Sequence, residues 1–112
     1  MASPDELWLV DFGDPYPAEP AHHRPALVVG PPGTFGADFP FVIVCPLTTT
    51  RRGLSLYVEV EADTASGLDA TSYIQCELLR SVGRGRLAHY LGAIDRATSD
   101  AVRQITATLL SH

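Results

Sequence analysis

Glycine and proline interrupt this chain so often that long helices are excluded from most of it. Nine glycines and nine prolines occur in 112 residues, and the apolar runs between them are short. Such runs are typical of strands in a small β-rich domain. Strands are therefore predicted at 7–12, 26–30, 41–47, 54–61, 72–76 and 86–94, with a proline-rich loop at 13–25.

Hydrophobic periodicity separates one helix from these strands. Residues 54–61 alternate between apolar and polar, as a half-buried strand does. After Asp95, a suitable N-cap, apolar residues recur at helical spacing, which predicts a helix over 96–110. Its apolar face would consist of Ala101, Val102, Ile105 and Leu109. Because the strands precede the helix, we expect one domain over residues 1–112 with a mainly β (α+β) fold, a twisted sheet or barrel and a terminal helix packed on it.

The composition excludes two classes of protein. With 46% hydrophobic and 19% charged residues, the chain has the apolar material for a core that disordered chains lack. Its longest apolar stretch, 39–47, is far shorter than the ~20 residues of a spanning helix. The N-terminus is acidic and has no apolar signal core, so we expect a cytoplasmic protein without a membrane partner.

The two cysteines, Cys45 and Cys76, lie in apolar runs without the spacing of a metal site. A free cysteine in such a run behaves as a small buried hydrophobe. The sequence therefore predicts two buried free thiols, and neither a metal nor a cofactor is expected.

Charge is unevenly distributed along the chain. The net charge is −5 and every basic residue is an arginine. Residues 1–23 contain five acids and no arginine, whereas residues 80–112 contain five arginines and two aspartates. An acidic balance argues against a nucleic-acid partner. Arginine nevertheless suits phosphate, so local clusters matter more than the total.

Two polar clusters flank predicted strands. The first, in the loop before the strand at 26–30, contains Glu19, His22, His23 and Arg24. The second follows the strand at 41–47, and its hydroxyl and guanidinium donors suit an anion; it consists of Thr48, Thr49, Thr50, Arg51 and Arg52. Taken alone, the first cluster is better explained as a solvated loop, and the second is equally compatible with a hydrophilic turn.

A third cluster contains Glu77 and Arg80 and leads into Arg84 and Arg86. Glu77 and Arg80 lie three residues apart, so an ion pair is expected rather than a catalytic role. His89 lies in a predicted strand and is expected to be structural or interfacial. The sequence has neither a GxxxxGK[ST] loop nor a GxSxG elbow, which excludes P-loop NTPases and α/β-hydrolases.

A series of short motifs runs along almost the whole chain. They are Leu-Trp-Leu-Val-Asp-Phe-Gly-Asp-Pro at 7–15, Glu19, His-Arg-Pro-Ala-Leu-Val-Val at 23–29, Cys-Pro-Leu-Thr-Thr-Thr at 45–50, Leu-Ser-Leu-Tyr-Val-Glu-Val at 54–60, Gly-Leu-Asp at 67–69 and Ser-Tyr-Ile-Gln-Cys-Glu-Leu-Leu-Arg at 72–80. In this order the motifs resemble those of the MazF/PemK family of toxin endoribonucleases. The resemblance implies an SH3-like small β-barrel with a C-terminal helix, usually a homodimer.

The resemblance also implies an activity and a partner. The activity is metal-independent, sequence-specific cleavage of single-stranded RNA, and the partner is a cognate antitoxin with an acidic, flexible tail. By position, Arg24 and Thr48 match the family's catalytic pair, and Glu19 matches a carboxylate that assists in some members. The expected RNA-binding residues are His23, Thr49, Thr50, Arg51, Arg52, Glu77 and Arg80.

These residue types suit RNA cleavage by attack of a 2′-hydroxyl on the adjacent phosphorus. Arg24 and the Thr48 hydroxyl would stabilise the developing charge. Glu19 is the candidate base, and Arg24, His22 or His23 is the candidate acid. Two alternatives stay open: a non-nuclease binding toxin on the same barrel, as in gyrase-poisoning relatives, and a degenerate homologue that only binds its antitoxin.

Overall fold

The computed structural model describes residues 2–13, 22–35 and 38–111. This part of the chain forms seven strands: β1 (Glu6–Asp11), β2 (His23–Gly30), β3 (Phe41–Thr48), β4 (Tyr57–Val60), β5 (Ser72–Gln75), β6 (Arg80–Gly83) and β7 (Leu87–Ala93). One helix follows, α1 (Arg96–Leu109). Short 3₁₀ turns lie at Gly33–Phe35, Cys76–Leu78 and Arg84–Arg86. The predicted mainly β fold with a terminal helix is therefore confirmed.

The strands form one antiparallel sheet that divides at β3. Its order is β4-β5-β3-β2-β1-β7, and β6 also pairs with β3. Residues Phe41–Val44 of β3 pair with β6, whereas Leu47 and Thr48 pair with β5. The division bends the sheet into a barrel-like shape, although β4 and β7, at the two ends of the strand order, leave it open.

Strands β2 and β3 are buried on both faces, so the sheet separates two apolar cores. The helix-side core consists of Leu7, Leu27, Cys45, Leu47, Val60, Ile74, Cys76 and Val102. The second core consists of Val10, Phe12, Ala26, Val28, Val42, Val44 and Val82. Successive residues of a strand point to opposite faces, which is why neighbours such as Ala26 and Leu27 belong to different cores.

Helix α1 is capped and tied to the N-terminal segment. The Asp95 carboxylate accepts a hydrogen bond of 2.8 Å from the Thr98 backbone N–H. Hydrogen bonds from the side chain and the backbone of Thr98 hold the pKa of Asp95 below its ordinary value. One turn further along, Ser99 Oγ donates to Asp5 Oδ1 over 2.7 Å. The predicted N-cap is confirmed, and polar groups fix the register of the helix on the sheet.

Several predicted boundaries were wrong. The strand predicted at 54–61 begins only at Tyr57, and Leu54 is 49% exposed. The predicted loop 13–25 ends earlier, because His23 and Arg24 already pair with β1. Strand β6 was not predicted, since Arg80–Gly83 contains one buried apolar residue, Val82. The last residue of the predicted helical face, Leu109, is exposed at 42%.

Both cysteines are buried and free, as predicted. Their thiols lie in the helix-side core, Cys45 on β3 and Cys76 in the turn after β5. A hydrogen bond with Cys76, followed by burial, raises the pKa of the Cys45 thiol. A buried, protonated thiol is a poor nucleophile.

Gly67 lies where no side chain fits. Its φ is +68°, and an added Cβ would lie 1.9 Å from the Leu91 carbonyl oxygen. The Gly67 N–H also donates to the Asp63 carbonyl over 2.9 Å. This close approach joins the β4–β5 connection to β7. In the described part of the chain, no helix is long and apolar enough to cross a membrane.

Candidate active site

The β2–β3 register brings Arg24 towards Thr48. Ala26 and Pro46 form the last β2–β3 pair, and continuing this register by two residues along each strand sets Arg24 opposite Thr48. Residues at facing positions of antiparallel strands project to the same face. That face is the side of the second core, and Arg24 and Thr48 lie partly exposed at its rim. The fold thus places at one rim the two residues that the sequence motifs singled out.

The Thr48 hydroxyl is held by the turn that follows it. Its Oγ1 accepts a hydrogen bond of 3.2 Å from the Thr50 backbone N–H, which fixes the oxygen and leaves the hydroxyl hydrogen to be donated. Thr49, Thr50, Arg51 and Arg52 continue the chain as exposed residues. They therefore flank the end of β3 with polar groups.

Two more arginines meet at the end of β1. The Arg80 guanidinium carbon lies 5.5 Å from the centre of the Phe12 ring, and a guanidinium in this position interacts favourably with the ring face. Arg86 Nη1 donates to the Asp11 carbonyl over 3.2 Å. Arg24 on β2 pairs with Val10, which is on β1 next to Asp11. The three arginines therefore surround this end of β1. We call Arg24, Arg80 and Arg86 the arginine corner.

Other predicted site residues lie differently. The expected Glu77–Arg80 ion pair is not formed: the two ion pairs within residues 2–13, 22–35 and 38–111 are Arg96–Asp100 and Arg103–Asp5. Glu77 is exposed in the 3₁₀ turn Cys76–Leu78, which directly follows β5. Glu19 lies outside the described residues, so its predicted position near Arg24 stays a prediction.

Two histidines and one arginine lie outside the arginine corner. His23 pairs with Asp11 at the start of β2 and is exposed. His89 is exposed on β7, opposite Leu9. Arg84 is outside the arginine corner, because its side chain donates to the Phe39 carbonyl. No group of three or more histidine, cysteine, aspartate or glutamate residues among the described ones could hold a metal ion.

Strands β4 and β5 add residues that sequence reasoning missed. Thr48 pairs with Tyr73, and Tyr73 pairs with Glu59. These three residues form a line across three strands, and the β2–β3 register continued by two residues adds Arg24; we call the four the polar row (Arg24, Thr48, Tyr73 and Glu59). The alternation within 54–61 indicated which residues of β4 share a face. The pairing of the two strands with each other and with β3 was not visible in the sequence.

Beneath the polar row lies a buried amide. Gln75 is only 6% exposed, and its Nε2 donates to the Tyr57 hydroxyl oxygen over 3.1 Å. Its Oε1 has no hydrogen-bond partner within the described residues. A buried acceptor without a donor is uncommon. It lies one row below Thr48 and Tyr73.

Comparison with known proteins gives the family. The model of PemK-like, MazF-like toxins of type II toxin–antitoxin systems matches residues 4–110. This chain belongs to the PemK/MazF toxin family.

Solved structures of similar proteins agree with this fold. MazF from Deinococcus radiodurans is 24% identical with a TM-score of 0.82, over 97% of this chain and 96% of that one. The Mycobacterium tuberculosis toxin MazF-mt6 is 21% identical with a TM-score of 0.75, over 92% and 93%. An endoribonuclease from a mycobacterial species, solved with its cognate antitoxin, is 23% identical with a TM-score of 0.78, over 98% and 95%.

Proposed function

We propose that this PemK/MazF family member is the toxin of a toxin–antitoxin pair and acts as a sequence-specific, metal-independent endoribonuclease on single-stranded RNA. The observation that supports the proposal is the β2–β3 register, whose last pair, Ala26 and Pro46, lies two residues before Arg24 and Thr48 along the two strands. Neither of the two ion pairs among the described residues uses Arg24. Guanidinium and hydroxyl groups are both suitable hydrogen-bond donors to phosphate oxygens.

The proposed roles of the residues follow from the negative charge that develops on the phosphate during RNA cleavage. The 2′-oxygen attacks the adjacent phosphorus, the bond to the 5′-oxygen breaks, and the products carry a 2′,3′-cyclic phosphate and a 5′-hydroxyl. Negative charge grows on the phosphoryl oxygens in the transition state. Arg24 and the Thr48 hydroxyl donate to those oxygens. Glu19 takes the 2′-hydroxyl proton, and His22, His23 or Arg24 protonates the leaving oxygen.

RNA binding is assigned to the surroundings of this pair. Arg80 in the arginine corner and the exposed segment after β3 supply donors to phosphates, which fix the strand without reading its sequence. The proposed RNA-binding residues are His23, Thr49, Thr50, Arg51, Arg52, Glu77 and Arg80. The arginine corner offsets the acidic total locally.

The same surface fits an acidic partner. We propose that the flexible acidic tail of a cognate antitoxin occupies the arginine corner and so excludes RNA. We further propose that residues 1–112 form one toxin domain, and that this domain is a cytoplasmic homodimer. Exposed apolar side chains, among them Phe41 at 50% and Leu110 at 66%, support an interface with a second copy.

The test is incubation of the purified protein with a long unstructured RNA in EDTA, followed by mapping of the fragment ends. We expect discrete cuts with 5′-hydroxyl ends. Arg24→Ala should reduce the cleavage rate by at least about 100-fold, the scale of losing one fixed donor to the transition state. Arg96→Ala, which removes an exposed charge on α1, is the matched control.

Three outcomes would contradict parts of the proposal. Full activity of Arg24→Ala would remove the catalytic assignment. Loss of cleavage in EDTA would mean that the enzyme needs a metal. Intact RNA after incubation with folded, antitoxin-free protein would favour a non-nuclease binding toxin, for which inhibition of gyrase is the next assay.

A further inference from the structure

The polar row is long enough to contact a whole nucleotide. Thr48, Tyr73 and Glu59 lie on the same face of adjacent strands. Neighbouring strands are about 4.8 Å apart, so Tyr73 lies about 5 Å and Glu59 about 10 Å from Thr48 across the sheet. This span matches that from a phosphate to the far edge of its base.

Charge changes sign along the polar row. The arginine corner lies at one end, around β1 and β2. At the other end, Glu59 is exposed. Its carboxylate repels phosphate, so the RNA backbone does not pass over this part of β4. A nucleotide is therefore oriented with its phosphate at Arg24 and Thr48 and its base towards Glu59.

Tyr73 and Glu59 suit a polar base. Tyr73 is partly exposed between Thr48 and Glu59, and an aromatic side chain in an RNA site stacks on a base. Glu59, which pairs with Tyr73, is exposed and supplies two carboxylate oxygens as acceptors. Tyr73 and Glu59 therefore favour a base rich in N–H donors.

We infer that Tyr73 and Glu59 form a base-reading subsite of this chain, and that the base it prefers is guanine. The inference rests on the proposed nuclease function, because it places the nucleotide by its phosphate at Arg24 and Thr48. Guanine presents two adjacent donors, N1–H and N2–H, to the two carboxylate oxygens of Glu59. Cytosine presents one amino group, and the two carbonyl oxygens of uracil face the carboxylate unfavourably.

The first test changes the carboxylate alone. Wild type, Glu59→Gln and Glu61→Gln are each incubated with a single-stranded RNA library randomised in sequence, and the cut ends are sequenced. We expect guanine to dominate at one position next to the cut. Glu59→Gln should lower the guanine-to-uracil preference there by about tenfold or more. Glu61→Gln removes the same charge just beyond β4 and should leave the preference unchanged.

The second test separates stacking from hydrogen bonding. Tyr73→Phe keeps the ring and should change the KM for RNA little, whereas Tyr73→Leu should raise KM about tenfold or more. Circular dichroism checks that each variant is folded. Equal sequence profiles for wild type and Glu59→Gln, or equal KM values for Tyr73→Leu and Tyr73→Phe, would overturn the subsite.

A binding measurement distinguishes failure of this inference from failure of the proposed function. Fluorescence anisotropy with short oligonucleotides that differ only in one guanine or uracil needs no cleavage. If the wild type cuts no RNA but prefers the guanine oligonucleotide, and Glu59→Gln abolishes that preference, the nuclease proposal fails and the subsite stands. If the wild type cuts RNA without any guanine preference, the nuclease proposal stands and the subsite fails.

Discussion

The helix side and the polar row use similar polar side chains in opposite ways. On the helix side, Ser99 is 2% exposed and donates to Asp5, and Asp95 accepts from Thr98. In the polar row, the Thr48 oxygen accepts one turn hydrogen bond, and neither Arg24 nor Glu59 takes part in an ion pair among the described residues.

This difference teaches how to separate structural from functional polar groups in a small domain. A buried polar group stabilises the fold only when its partner is internal. A polar group at a rim without an internal partner adds little to folding, and it is available to a ligand. Substitutions on the helix side should therefore lower stability, and those in the polar row should lower activity without lowering stability.

The largest expected effect is on stability, at the Gly67–Leu91 contact. Gly67→Ala combines a strained positive φ with a Cβ 1.9 Å from a carbonyl oxygen, so it should lower the free energy of unfolding by about 4 kcal/mol. Urea denaturation measures this. Gly85→Ala, where an added Cβ meets nothing within 4 Å, is the control, and equal stability of the two variants would show that the contact is not tight.

The next largest effect should be on activity alone. Thr48→Val keeps the shape of the side chain but removes the hydroxyl, and we expect cleavage to slow about 100-fold with an unchanged Tm. Thr108→Val removes a hydroxyl from the exposed surface of α1 and should leave cleavage unchanged. A lowered Tm for Thr48→Val would break the comparison, because it would make Thr48 a structural residue.

A smaller loss of stability is expected on the helix side. Ser99→Ala removes the donor to Asp5 Oδ1 and should lower the free energy of unfolding by about 2 kcal/mol, since the acceptor is charged. RNA cleavage below the melting transition should be unaffected. Ser81→Ala, an exposed serine on β6, serves as the control, and a loss of cleavage in Ser99→Ala would connect the two regions.

The smallest effect is the pH dependence of the helix cap. Because hydrogen bonding lowers the pKa of Asp95 in the folded chain, its stabilisation is complete above the ordinary value of 3.8 and is lost as pH falls through the lower folded value. Asp95→Asn keeps the capping oxygen without the charge. The Tm difference between wild type and this variant should shrink as the pH falls below 3.8; a difference that does not change with pH would show that the charge of Asp95 contributes nothing.

Local patterns predicted the fold better than they predicted the site. The strands at 7–12, 26–30 and 41–47, the helix after Asp95 and the buried cysteines follow from apolar runs and capping chemistry. Strand β6 was not predicted because Val82 is its one buried apolar residue, so its sequence shows no alternation. Leu54 and Leu56 suggested more strand than the chain forms.

Arg24 and Thr48 were predicted from the family motifs, and the last β2–β3 pair, Ala26 and Pro46, lies two residues before them along the two strands. Tyr73 and Glu59 could not be found in this way, because their relation to Thr48 depends on pairing between strands far apart in sequence. The expected Glu77–Arg80 pair shows the converse. Closeness in sequence was not enough, because Glu77 lies exposed within the 3₁₀ turn Cys76–Leu78 and Arg80 packs on Phe12.

Pro46 has a consequence for how the rim stays open. Pro46 on β3 and Ala26 on β2 form the last β2–β3 pair before Arg24 and Thr48. Pro25 precedes Ala26 on β2. Neither proline has an N–H to donate. At this end, β2 and β3 therefore have few backbone amides that could extend their pairing or bind a strand of another chain. Imino acids thus keep this end of the sheet from being sealed by backbone pairing, and a ligand that enters there meets side chains.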